Sequence, residues 1–141
     1  MLSRVADSLY WLSRYVERAD NIARCIDVNL QLQLDLPGED RPWEPMIQTS
    51  GNAQDFFNTY GRANFENVLT FLTFDRNNPN SIVSCIARAR ENARCVRESI
   101  SSEMWAAINK FHIALESPEL QKRIFDNPHA FYNEVKECSQ L

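Results

Sequence analysis

Along the first segment, from about Ser3 to Leu34, apolar residues fall at Val5, Leu9, Leu12, Val16, Ala19, Ala23, Ile26 and Leu30. Steps that alternate between four and three place these residues on one face of a helix, and no strand pattern produces them. Trp11, Tyr15 and Ile22 lie beside the stripe, so the apolar arc is wide enough to touch more than one neighbour. Ser3 is the predicted N-cap, and Pro37-Gly38 is the predicted stop.

The spacing returns at Ile82, Ile86, Ala89, Ala93, Val96, Ile100, Met104, Ala107, Phe111 and Leu115, which predicts a second long helix. Ser99, Ser101 and Ser102 mark a place where it kinks, or breaks behind a fresh cap. Between the long segments, residues 37–64 hold all three glycines and three prolines, as expected of brief helices joined by turns. Phe65 to Phe74 reads as a compact helix ended by the polar loop Asp75-Arg76-Asn77-Asn78-Pro79-Asn80-Ser81, with Asn80 or Ser81 capping the second long helix. Ser117-Pro118 and Asn127-Pro128 each read as an N-cap followed by a first-turn proline. The predicted fold class is all-α: a helical bundle of two long heptad-patterned helices, about 3–34 and 81–116, with several short ones, in a single domain spanning 1–141.

Composition agrees with a folded helical domain, at 44% hydrophobic and 24% charged residues. The net charge of −4 gives no global basic field for nucleic acid or an anionic membrane surface, and no run is long enough to span a bilayer. Nothing near the N-terminus resembles an export signal. The four cysteines, Cys25, Cys85, Cys95 and Cys138, form no C-x-x-C pair and have no close histidine, so buried free thiols are expected and no metal or cofactor is. Arginine outnumbers lysine twelve to three, which points to guanidinium forks used for fixed contacts.

The arginines are concentrated. Residues 18–26, RADNIARCI, echo residues 88–96, RARENARCV, at a constant offset of seventy. Duplication and the coincidence of two Ala/Arg-rich helices both fit; in either case small alanines face the core with arginines at the flanks. On the first helix Tyr10, Ser13, Glu17, Asp20, Asn21 and Arg24 share a face, with Asp20 and Arg24 set to pair across one turn. On the later helix Arg90, Arg94 and Arg97 form a like-charged stripe, with Glu91 and Glu98 directed elsewhere. Either Glu17 or Asp20 answers Arg90 or Arg94 between packed helices, or the stripe binds a carboxylate or phosphate from outside. His112, between Phe111 and Ile113, is expected to pack rather than act as a base, and neither it nor His129 falls in a familiar catalytic pattern. Di-metal, zinc-protease, Walker and dinucleotide motifs are absent from the sequence, and Glu39-Asp40 reads as an exposed turn.

The stretches MLSRVADSLYWLSRYVERADNIARCIDVNLQLQLDLPG and FLTFDRNNPNSIVSCIARARENARCVRESISSEMW resemble the bacterial alpha-E domain family over nearly the whole chain. The family's Glu-Arg motif corresponds to Glu17-Arg18. Further positions carried over are Asp75, Arg76, Asn78, Pro79 and Ser81 in the loop, and Arg88, Arg90, Glu91, Asn92, Arg94 and Arg97 on the later helix. The resemblance implies a bacterial cytoplasmic protein encoded beside circularly permuted ATP-grasp ligases and transglutaminase-like cysteine peptidases, in what look like peptide-modification systems. It also implies that this chain is the N-terminal half of a longer domain, because members usually continue past the equivalent of Cys138 into a second helical half. Self-association, or pairing with such a half, is therefore expected. The leading expectation is a non-catalytic helical partner or scaffold for that ligase system, binding an anionic peptide or carboxylate. An enzyme component with Glu17 as base, and a purely structural oligomerisation domain, are the alternatives.

Overall fold

The computed structural model of the chain describes residues 2–35 and 43–139. Among them every regular element is helical: α1 (Leu2–Asp35), α2 (Trp43–Thr49), α3 (Ala53–Tyr60), α4 (Phe65–Leu69), α5 (Ile82–Cys95), α6 (Ser102–Leu115), α7 (Pro118–Asp126) and α8 (Pro128–Ser139). The all-α bundle is as the apolar spacing predicts. No described helix is long and apolar enough to cross a membrane.

α1 is the axis of the fold and packs chiefly against α5 and α8. The stripe that defined it in the sequence faces inward, with Leu12, Ala19, Ala23 and Ile26 all buried. Ala19 and Ala23 share the core with Cys85 and Ile86, while Leu12 packs with Ala89 and Ala93. Small side chains on both helices allow their axes to approach closely. The two run antiparallel, since Tyr15 meets Arg88 whereas Arg18, further along α1, meets Asn80. Trp43, Ile47, Phe56, Val68 and Leu69 belong to the same larger cluster, and a fully buried Val, Leu, Ile or Phe contributes about 1.5–3 kcal/mol.

Several boundaries differ from expectation. Ser3 lies inside α1, which already begins at Leu2, so it is not the cap. Pro37-Gly38 and Glu39-Asp40 lie outside the described residues. The second long segment is two helices: α5 ends at Cys95, a 3-10 turn covers Arg97–Ser99, and Ile100 is extended before Ser101 caps α6 by accepting Met104 N–H at 3.1 Å. The break anticipated at the serines is thus a full reversal, which folds α6 back on α5. Phe65 to Phe74 is helical throughout, but its end widens into a π turn, Thr70–Phe74, closed by Asp75 N–H to the Thr70 carbonyl at 3.0 Å.

Both predicted proline starts hold, with Pro118 opening α7 and Pro128 opening α8, and Ser81 is the cap of α5. Gly61 ends α3 with a positive φ of 79°, a conformation that costs glycine little. Of the three cysteines whose side chains are described, Cys85 is buried, as expected, whereas Cys25 and Cys95 are exposed, because they follow the core alanines Ala23 and Ala93 by two residues and so fall on the far side of their helices. The side chain of Cys138 lies outside the described residues.

Candidate functional site

The loop at residues 75–81 is a hydrogen-bonded knot. Asp75 accepts the Asn77 N–H at 2.9 Å through one oxygen and the Tyr60 hydroxyl at 3.0 Å through the other. Burial, then the bond to Asp75, push the Tyr60 hydroxyl up to about 12. Asn78, only 3% exposed, donates to the Phe71 carbonyl at 3.1 Å and accepts from Asn80 N–H and the Asn52 amide. Ser81 is buried and accepts the Ser84 N–H at 3.2 Å, the side-chain cap that starts α5. Pro79 and this set of bonds hold one conformation, and the knot forms a wall of a polar cleft of about 230 Å³ shared with Asn52, Asp55 and Asn58. Of the loop residues predicted for binding, Asp75, Asn78 and Ser81 therefore have structural partners, while Arg76 reaches across an exposed surface to Glu116 at 2.9 Å.

The Glu-Arg pair of α1 divides. Glu17 is exposed and bridges Arg14 at 3.5 Å, while Arg18 turns toward α5 and donates to Asn80 Oδ1 at 3.4 Å. Arg18 also lies over the Tyr15 ring, 5.5 Å from its centroid. Arg88 approaches the same ring at 5.7 Å and donates to the Tyr15 hydroxyl at 3.3 Å. The first residues of the two echoed segments, RADNIARCI and RARENARCV, thus converge on one tyrosine. Between the helices, burial pushes the Cys85 thiol up to about 11, even though Arg18 and Arg88 pull it the other way.

Neither Glu17 nor Asp20 pairs with Arg90 or Arg94, and that expectation is corrected. With Ala19 and Ala23 against α5, Glu17 lies two positions, or about 200°, round the helix from Ala19 and faces away from α5. Asp20 instead accepts from Arg24 at 2.8 Å, the predicted one-turn pair, and its other carboxylate oxygen is buried without a hydrogen-bond partner among the described residues. Arg90 faces α6, donating to Asn109 at 2.8 Å; Arg90 and Arg97 both approach the Trp105 ring, at 5.8 and 5.0 Å. Glu91, expected to point elsewhere, answers the stripe from its own helix, 3.3 Å from Arg94 and 3.8 Å from Arg90. Asn92 is occupied locally, bonding the Arg88 carbonyl at 2.9 Å.

One cluster was missed in the sequence. Asp27, buried at the back of α1, accepts Lys136 Nζ at 2.7 Å and faces His129 Nδ1 at 2.8 Å, both from α8. Burial alone would raise the Asp27 carboxyl, but bonds from Lys136 and His129 and their charges outweigh it and hold it below its ordinary value of 3.8. The only advance signal was a carboxylate directly following the core residue Ile26; its partners lie more than a hundred residues away. His112, 20% exposed, lies 3.8 Å from Glu116, and its Nδ1 is buried without a hydrogen-bond partner among the described residues. No group of three metal-ligating side chains occurs among the described residues. Glu17 is exposed and lines neither the cleft beside the loop nor the one formed by α7 and α8.

Comparison with known proteins places this geometry in context. A family model, Alpha-E, described as a predicted alpha-helical domain with a conserved ER motif, matches residues 1–141. Uncharacterized proteins of Mycobacterium bovis and Mycobacterium tuberculosis are each 26% identical over 128 residues, covering 80% of this chain and 14% of the relative. The chain therefore spans about a seventh of the length of these curated relatives. No solved structure matches.

Proposed function

The chain belongs to the Alpha-E family, and from that premise we propose that it is a non-catalytic helical partner or scaffold protein, acting in the cytoplasm and docking a larger enzyme through the aromatic flank of α1 beside α5. The observation that carries this reading is the aromatic row at that surface. Tyr10 is 55% exposed and Trp11 39% exposed, and Trp11 packs on Tyr15 at 5.7 Å beside Arg18 and Arg88. Tyrosine, tryptophan and arginine are the side chains that dominate binding energy at protein interfaces. The small share of the mycobacterial relatives that this chain covers also favours a module working alongside other domains.

The partner proposed is a circularly permuted ATP-grasp ligase acting with a transglutaminase-like protein, as the family resemblance implies. Exposed Val28 and Leu32, further along α1, and Ile113 on α6 support self-association as a second reading. Calorimetric titration of the ligase into this protein tests the proposal. Binding is expected to weaken at least tenfold in Trp11→Ala, with an unchanged thermal melt. No complex, or one indifferent to Trp11, refutes the docking surface.

A further inference from the structure

We infer that Arg18 and Arg88, held over Tyr15, form a binding site for an oxyanion, a carboxylate or a phosphate group. The inference deepens the partner reading by naming the group recognised at that surface. Most arginines of the charged segments are already answered: Arg14 by Glu17, Arg24 by Asp20, Arg76 by Glu116, and Arg90 and Arg94 by Glu91. Arg18 and Arg88 differ. Among the described residues no carboxylate lies within ion-pair distance of either, yet the shared ring keeps them within about 11 Å of each other. Arg97 also lacks a carboxylate, but its companion over Trp105, Arg90, has both Glu91 and Asn109.

What fixes the pair is neutral. Arg18 gives one N–H to Asn80 Oδ1 and Arg88 gives one to the Tyr15 hydroxyl. A guanidinium carries five N–H donors in a planar fork, so most of those on each side chain are left for a ligand. Arg18 is anchored through Asn80 to the loop and Arg88 through the Tyr15 hydroxyl and ring, which lowers the ordering required when an anion arrives. An anion placed between the two guanidiniums is attracted by both, and bidentate N–H pairs match the oxygens of carboxylate and phosphate alike. Trp11 beside Tyr15 provides an apolar shelf next to the charged fork, suited to whatever carries the oxyanion.

The test monitors the arginine Nε–Hε signals by nuclear magnetic resonance while inorganic phosphate or N-acetylglutamate is added to the whole chain, with ionic strength held constant by chloride. Saturable shifts at Arg18 and Arg88 are expected from at least one probe; phosphate alone identifies a phosphoryl ligand, acetylglutamate alone a carboxylate. Arg88 is exposed, so Arg88→Gln should fold as the native chain does while its affinity drops at least fivefold. Arg88→Lys, which keeps the charge and loses the fork, should also weaken binding, and Arg94→Gln should not. The inference is overturned if neither probe gives saturable shifts, if Arg88→Lys binds as the native chain does, or if Arg94→Gln loses as much as Arg88→Gln. Because no ligase is present, this outcome and that of the docking titration are independent.

Discussion

Replacing Asp27 by alanine should unfasten α8 from α1. The carboxylate holds two contacts across the chain, Lys136 Nζ at 2.7 Å and His129 Nδ1 at 2.8 Å, and only 11% of its side chain is exposed. A hydrogen bond to a charged group contributes about 1.5–3 kcal/mol, and removing one member of a buried pair costs more than the bond because the other charge stays desolvated. Lys136 is 19% exposed and has little access to water, whereas His129 is 56% exposed and recovers it readily. The expected loss is about 2–4 kcal/mol. For a chain of this size that is a fall of roughly 7–14 °C in melting temperature. Urea unfolding at pH 7 measures it, and a double-mutant cycle with Lys136→Met isolates the pairwise part. The direction of the shift at Asp27 sets the pH dependence. Because Asp27 is held below its ordinary value of 3.8 in the fold, its contribution is complete above that value and is lost as pH falls through the folded one. The gap between native and Asp27→Ala proteins should therefore shrink in strong acid. A loss under about 0.5 kcal/mol at pH 7, the size of an ordinary surface substitution, or a gap that widens on acidification, refutes this account.

Thiol labelling mapped by peptide mass should proceed quickly at Cys25 and Cys95 under native conditions and reach Cys85 only on unfolding, since Cys85 is buried and its thiol is pushed up to about 11. Ala23→Leu should destabilise by about 1–3 kcal/mol in the same urea assay, because Ala23 has no exposed surface and a larger side chain there would force α1 out of its packed position.

How far the sequence carries depends on the range of the interaction. The α1 stripe, the Pro79 loop with its Ser81 cap, and the starts at Pro118 and Pro128 are set by neighbours within a few residues, and each is found where the pattern predicts. The reversal at residues 96–101 is hidden because Val96, Ile100 and Met104 continue the apolar spacing straight through it; only the serines betray it. The charged seam fails for another reason. Which arginine meets which carboxylate depends on how α1 is rotated about its axis, and Ala19 and Ala23 settle that by turning Glu17 outward. Tyr15 was legible as a flanking aromatic but not as the point where Arg18 and Arg88 meet, and Asp27 finds its partners through tertiary packing alone.

The dependence of α1 on α5 and α8 also bears on how the chain is made. The first helix leaves the ribosome long before either of its main neighbours exists, with Ala19, Ala23, Ile26 and Asp27 uncovered. At roughly 5–20 residues per second, about 5–20 s separate the synthesis of Asp27 from that of Lys136. α5 is made partway through that interval, so the side of α1 that α8 covers stays open longest and the last-made helix closes the fold.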